Sequence, residues 1–280
     1  LVISGQVQTG QIDPEARSFG VQGFNIIENV QHITKYAAQL TEPNDIKLEI
    51  DKAIYHAFEG RPGPVWLDVP LDIQSAEISE SELVEFHPPE PAAAAVPGDI
   101  DNVVERLRAS ARPVVVFGQG IRTADAIDEF LAFLTDTDIP AISARMALDI
   151  VPYAHPNYMG LCGIRGQLAP INILREADLI ISLAASMPVT FASEKYELVK
   201  GGADLIMVNI DKTETDKRHL EPNTVLNMDV KTFLGEISAR GNLRPTVSGS
   251  SDWLTHCQAF KAKNKSYDQV DKNDKINSYY

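Results

Sequence analysis

The chain has 280 residues, 44% hydrophobic and 23% charged, with 17 glycines and 17 prolines, proportions that exclude collagen and low complexity and leave length for one large or two medium cores. Thirty-nine acidic residues against 25 basic ones give a net charge of −14, which repels phosphate backbones and anionic lipid and argues against nucleic acid and membrane as partners. No apolar run reaches the roughly 20 residues a membrane helix needs, and the two cysteines, Cys162 and Cys257, give neither a disulfide framework nor metal-ligand spacing, which points to a reducing cytoplasm.

Leu1-Val2-Ile3-Ser4-Gly5 is an apolar, β-branched run ending in glycine, the pattern of a buried parallel strand. A core strand at the first residue needs pairing neighbours, so the chain is expected to be a piece of a longer protein. A polar loop, Gln6 to Ser18, and a mixed segment, Phe19–Val30, lead to a short strand near Thr34–Ala37. Asn44 can cap a helix in which Ile46, Ile50, Ile54 and Phe58 recur every four residues. Gly60 ends it, and Arg61-Pro62-Gly63-Pro64 makes a rigid turn. Val65–Pro70 reads as a second parallel strand, completing a βαβ-type half-domain. Between Phe86 and Gly98, four prolines in eleven residues break both helix and central strand and mark an interdomain linker.

Beyond the linker the pattern is regular. A helix over about 98–110 precedes a buried strand, Pro113–Gly118. Ile127, Phe130, Leu131 and Leu134 mark the next helix, Pro140–Ala144 is a strand, and a loop runs from Leu148 to Gly160. A helix at Ala169–Ala177, strands at Leu179–Leu183, Leu205–Asp211 and Val225–Met228, and a helix through Phe233 and Leu234 follow. Apolar strands alternating with helices predict an α/β chain whose second part is a doubly wound, Rossmann-like parallel sheet.

Ligands of open parallel sheets bind beyond the carboxyl ends of the strands. Gly118-Gln119-Gly120, Gly160, Gly163-Ile164-Arg165-Gly166, Asn209, Asp211 and Asp229 fall at such ends. Glycines let backbone amides approach a phosphate, and a strand-end acid holds a ribose hydroxyl. The third glycine of a dinucleotide fingerprint is missing, and tight turns and helix caps explain the same residues equally well. The six histidines are scattered, and neither a nucleophile elbow nor a Walker loop occurs. Lys35 and Arg61 are bases suited to an anionic substrate, though Arg61 also suits capping the preceding helix.

Taken in order, Ser4-Gly5-Gln6-Val7, Phe19-Gly20-Val21-Gln22, Ile33-Thr34-Lys35-Tyr36 and the run Gly60–Asp72 form a series. This series resembles the thiamine-diphosphate-dependent enzymes of the acetolactate synthase and 2-oxo-acid decarboxylase group. Arg112-Pro113-Val114, Glu176-Ala177-Asp178-Leu179 and Val208-Asn209-Ile210-Asp211 resemble the family's central domain.

The resemblance implies four regions. Residues 1–85 are the end of a pyrimidine-binding domain, 86–98 the linker, 99–245 the central domain, and 246–280 a linker toward a diphosphate-binding domain. It implies thiamine diphosphate and Mg²⁺ as cofactors, a 2-oxo acid such as pyruvate as substrate, and a homodimer or homotetramer. By resemblance Gln6, Phe19, Gln22 and Lys35 line the substrate and cofactor, with Gly23 standing where the synthases carry glutamate. Gly118, Gly120, Gly163, Arg165, Asn209, Asp211 and Asp229 match positions of the family's FAD site. Its two diphosphate-binding arginines fall on Ala184-Ala185-Ser186 and Thr190, a loss of two charge-assisted contacts of about 1.5–3 kcal/mol each, with Arg165 a neighbouring substitute. The family's ylid-forming glutamate lies upstream and its Gly-Asp-Gly metal motif downstream, and no Gly-Asp-Gly occurs here. No catalytic residue is assigned, and the 280-residue piece alone is expected to be inactive. The rival reading is a non-catalytic Rossmann-like module for FAD, NAD or an adenine nucleotide.

Overall fold

A computed structural model describes residues 1–13, 15–16, 21, 23–90, 97–164, 166–192, 201–217, 220–247 and 250–264. The chain divides into two compact units, 1–93 and 94–280. No helix among the described residues is long and apolar enough to cross a membrane.

In the first unit β1 (Val2–Gln6), β2 (Tyr36–Gln39) and β3 (Val65–Pro70) form a parallel sheet in the order β1-β3-β2. The strand expected at the start of the chain is present and pairs with β3, Val2 opposite Trp66 through Gln6 opposite Pro70. Among the described residues it pairs with β3 alone, and Leu1, Val2 and Ile3 are exposed. A short helix, α1 (Ile26–Val30), follows β1. The main helix, α2 (Ile46–Phe58), lies between β2 and β3, and α3 (Leu71–Ser75) follows β3 directly.

Ile46, Ile50, Ala53 and Ala57 of α2 pack with Leu40, Val65 and Leu67 into one core. Ile54 and Phe58 are exposed instead. With 3.6 residues per turn, a strict four-residue step drifts by about 40° each time, so the third and fourth members rotate off the buried face. Glu59 N–H donates to Tyr55 O and Gly60, at φ +58°, turns the chain out of the helix, which only glycine does without strain.

The second unit begins with α4 (Pro97–Ala109) and β4 (Pro113–Phe117). It continues through α5 (Gly120–Thr123), α6 (Ile127–Thr137), β5 (Ala141–Ser143), β6 (Tyr158–Leu161) and α7 (Leu168–Glu176). Then come β7 (Leu179–Leu183), α8 (Val189–Ala192), β8 (Asp204–Val208), α9 (Lys212–Thr215), β9 (Thr224–Leu226), α10 (Val230–Ser238) and α11 (Ser250–Lys263). The six strands are parallel in the order β6-β5-β4-β7-β8-β9. The chain therefore starts at the centre, winds out one way, returns beside β4 and winds out the other way. This is the doubly wound α/β fold the alternation predicts, with its topological switch between β4 and β7.

Successive strand residues feed opposite faces. Val115, Phe117, Ile181 and Val208 join one core with Val104, Phe130 and Phe233, while Val114, Val116, Ile180 and Met207 join a second with Ile173, Trp253 and Cys257. Two elements depart from the sequence reading. The segment expected as a loop up to Gly160 contains β6, a short edge strand interrupted by Gly160 at φ +116° and paired with β5 through a register shift. Within 246–280, expected as a linker, Ser250–Lys263 is a helix. Trp253 and Cys257 bury its inner face, and Trp253 Nε1 donates to Pro113 O at 2.9 Å.

Candidate functional site

Strands of a parallel sheet covered on both faces are normally apolar throughout. β3 breaks that rule at Asp68. Val65 and Leu67 face the α2 core, whereas Trp66 and Asp68 share the other face with Ser4 and Gln6 of β1 and Gln39 of β2. The register sets Ser4 and Gln39 on either side of Asp68. Ser4 Oγ donates to Asp68 Oδ1 at 2.6 Å, and Gln39 Nε2 and Gln6 Nε2 donate to Oδ2 at 2.9 and 3.2 Å. Asp68 is 1% exposed, and these three neutral donors are its side-chain partners. A buried carboxylate is tolerable only when hydrogen-bonded in this way.

Gln6, expected at the mouth of a site, is 8% exposed and fully engaged. Its Nε2 also donates to Phe24 O at 2.8 Å, and its Oε1 accepts from Val7 N–H at 2.9 Å. It braces the carboxyl end of β1. Close by in sequence, Thr9 N–H and Oγ1 donate to the Asp72 carboxylate at 2.5–3.1 Å, tying the loop after β1 to the start of α3. The Thr9 hydroxyl and surrounding amides hold the Asp72 carboxyl below its ordinary range.

Lys35 lies at the opposite end of the sheet. Its backbone N–H donates to Pro64 O at 2.8 Å, at the amino end of β3, whereas Gln6 is opposite Pro70. Six positions at about 3.3 Å each put roughly 20 Å between the two levels. Lys35 Nζ donates to Glu59 O at the carboxyl end of α2, where a cation complements the helix dipole. The structure does not bring Lys35 and Gln6 together. Phe19, Gln22 and Arg165 lie outside the described residues.

In the second unit the switch between β4 and β7 is where a doubly wound sheet opens its ligand crevice. Here the two strand ends close on each other. Gly118 N–H donates to Leu183 O at 3.0 Å and Gly120 N–H to Ala184 O at 3.3 Å, so the amides that would face a phosphate already have acceptors. A Cβ on Gly118 would lie 2.2 Å from Ala184 O, and one on Gly120 2.6 Å from Ala184 Cβ. These glycines are required by backbone contact. Gly163, at φ +123°, likewise lies against Thr190 O.

The polar strand-end residues also have local partners. Asn209 Nδ2 donates to Ala185 O at 3.3 Å and its Oδ1 accepts from Asp211 N–H at 3.0 Å. Asp211 caps α9 through Thr213, and Asp229 caps α10 through Thr232 N–H at 3.0 Å. The sequence reading missed Asp68, Gln39 and Thr9 as parts of one end of a sheet. The available signal was an acid inside the apolar run Val65–Pro70.

Residues 100–237 match the family profile described as the thiamine pyrophosphate enzyme central domain. The acetolactate synthase large subunit of Lactococcus lactis subsp. lactis is 30% identical over 256 residues, covering 89% of this chain and 43% of the relative. The acetolactate synthase isozyme 1 large subunit of Escherichia coli K12 is 31% identical over 242 residues, covering 85% and 41%. A glyoxylate carboligase of Escherichia coli O157:H7 is 27% identical over 269 residues, covering 93% and 44%. The chain spans less than half the length of these curated relatives.

Proposed function

We propose that this chain belongs to the thiamine-pyrophosphate-dependent enzymes, with acetolactate synthase large subunits among its relatives, and is part of an enzyme that makes or breaks the C–C bond beside the carbonyl of a 2-oxo acid such as pyruvate. The observation that carries the reading is the match of residues 100–237 to the central domain, on a sheet whose strand order suits it. The names of the relatives, synthases and a carboligase alike, favour this reading over a nucleotide-binding module without catalysis.

Thiamine diphosphate, when bound, would supply the carbanion chemistry, while the protein would supply binding, orientation and charge. The first unit contributes the carboxyl edge braced by Gln6, Asp68 and Asp72. Phe19 and Gln22, which lie outside the described residues, are proposed as substrate and cofactor contacts on the resemblance alone. We assign Lys35 to fixing α2 rather than to substrate. Mg²⁺ is assigned to other parts of the enzyme, because the family's Gly-Asp-Gly metal motif does not occur in this sequence.

We assign no flavin to the second unit, on the support of the closed Gly118–Ala184 contact and of Ala184-Ala185-Ser186 and Thr190 standing where the family's two arginines fall. Residues 1–85 and 99–245 serve as the pyrimidine-side and central domains. The term large subunit in the relatives' names supports an assembly of several chains, which we place in the cytoplasm as a homodimer or homotetramer.

The test is turnover by the intact protein with thiamine diphosphate, Mg²⁺ and, separately, pyruvate and glyoxylate. Cofactor-dependent CO₂ release is the expected result. Its absence with both acids and with longer 2-oxo acids refutes the proposal. A purified protein without flavin absorbance is expected, and a stoichiometric yellow chromophore overturns that part.

A further inference from the structure

At the amino end of the second sheet, three segments meet beside neighbouring strands. β4, β7 and β8 lie side by side, with Pro113 opposite Leu179 and Leu179 opposite Asp204. The residues just before these strands therefore come together. Arg112, Arg175, Glu176, Asp178, Gly201 and Gly202 line a depression of about 330 Å³ there. The five residues of β4 put roughly 16 Å between it and the carboxyl edge.

The acids of this depression are already answered. Asp178 accepts from Ser110 Oγ and from the N–H groups of Ala111 and Arg112, the latter two at 2.9 Å. Glu176 Oε2 is 3.1 Å from His256 Nε2 on α11. The donors are not. Arg112 spends only Nε, on Glu176 O at 2.5 Å, and its Nη groups have no partner among the described residues. The exposed Arg175 guanidinium and the N–H groups of Gly201 and Gly202 have none there either. Nothing lies within 4 Å of a Cβ built on Gly202, so that wall is bare backbone. A basic residue at a helix end often serves its carbonyls, as Lys35 does for α2. At α7 Arg112 fills that part through Glu176 O, and Arg175 reaches no carbonyl.

A group that answers unpaired donors must itself accept and carry negative charge. Guanidinium forks match the oxygens of phosphate and carboxylate. Donors offered from three separate segments suit a tetrahedral group with three acceptor oxygens better than a planar carboxylate. We infer that this depression is a binding site for a phosphate group, free or as the head of a small metabolite, clamped by Arg112 and Arg175 at the amino end of the sheet. A chain of net charge −14 repels anions elsewhere, so such a site stands out against a weak background.

The test is calorimetric titration of the intact protein with inorganic phosphate, glycerol 3-phosphate and acetate, at one ionic strength set with sodium chloride. Saturable binding of phosphate is expected, weakened about tenfold or more in Arg175→Ala, the worth of one charge-assisted hydrogen bond. Arg175 makes no hydrogen bond among the described residues, so this variant is expected to fold as wild type. Arg145→Ala removes the same charge from the turn after β5, at the other end of the sheet, and is expected to bind as wild type does. Glycerol 3-phosphate bound more tightly than phosphate identifies an ester as the occupant, and equal or weaker binding identifies free phosphate. No saturable phosphate binding, no loss in Arg175→Ala, an equal loss in Arg145→Ala, or acetate bound as tightly as phosphate overturns the inference. The readout needs no turnover, so it is independent of the proposed 2-oxo acid chemistry.

Discussion

Gly118→Ala separates a packing glycine from a ligand-cradling one. The added Cβ would sit 2.2 Å from Ala184 O, 2.4 Å from Ala185 Cα and 2.8 Å from Ala184 C. All three are backbone atoms in a turn where Ala184 is already at φ +48°, so no side chain can swing aside to make room. Forcing one extra carbon into a packed interior costs about 1–3 kcal/mol. The same displacement strains the 3.0 Å bond from Gly118 N–H to Leu183 O, which joins β4 to β7 across the switch point. For a unit of this size each kcal/mol moves Tm by about 2–4 °C, so a fall of roughly 2–12 °C is expected in a thermal melt, the same with or without added nucleotide. A variant that melts within about 1 °C of wild type but binds FAD or an adenine nucleotide less well would show Gly118 to be a cradle, and would refute the reasoning.

Gly235 provides the opposite case. It lies inside α10 with nothing within 4 Å of an added Cβ, so Gly235→Ala is expected to stabilise the second unit by about 0.5–1 kcal/mol in urea unfolding. Burial pushes the Cys162 thiol up to about 12 and raises that of Cys257 as well, with Glu176 adding to the second. Neither thiol is expected to react with a disulfide reagent at pH 8 until denaturant is added, when both should react. Burial, then the Glu49 carboxylate that accepts its hydroxyl proton, holds the Tyr36 phenol above its ordinary value of 10.0. The folded chain keeps that proton where the unfolded chain releases it. The resulting stability is complete below pH 10.0 and declines as pH rises beyond it. Tyr36→Phe is expected to lessen the alkaline decline in a pH series of melts, and an identical decline would contradict it.

Much of the fold is legible in local pattern. Val114–Phe117 and Leu179–Leu183 are continuous apolar runs because helices cover both faces of their sheet, and their alternate residues do feed two separate cores. Local pattern fails where a strand lies at an edge. Gly160 hides β6, an outer strand of the second unit's sheet, by interrupting its run. The α11 stripe of Trp253, Cys257 and Phe260 has helical spacing, but the resemblance places it within a linker toward a further domain.

The candidate site is less legible because its parts are far apart in sequence. Asp68 meets Ser4 and Gln6 across 64 and 62 residues and Gln39 across 29, so no motif spacing contains the cluster. Lys35 shows the converse. It stands in a recognisable Thr-Lys pair, but only the register reveals that it belongs to the amino end of the sheet, away from the edge where ligands of parallel strands bind.

The most direct test of membership in working thiamine-dependent chemistry is to follow carboxyl-¹³C pyruvate by NMR with the intact protein, with and without thiamine diphosphate. The account predicts labelled CO₂ or bicarbonate only when the cofactor and Mg²⁺ are both present. Label that stays in the 2-oxo acid under every condition, for pyruvate and for its longer and shorter analogues, would contradict it.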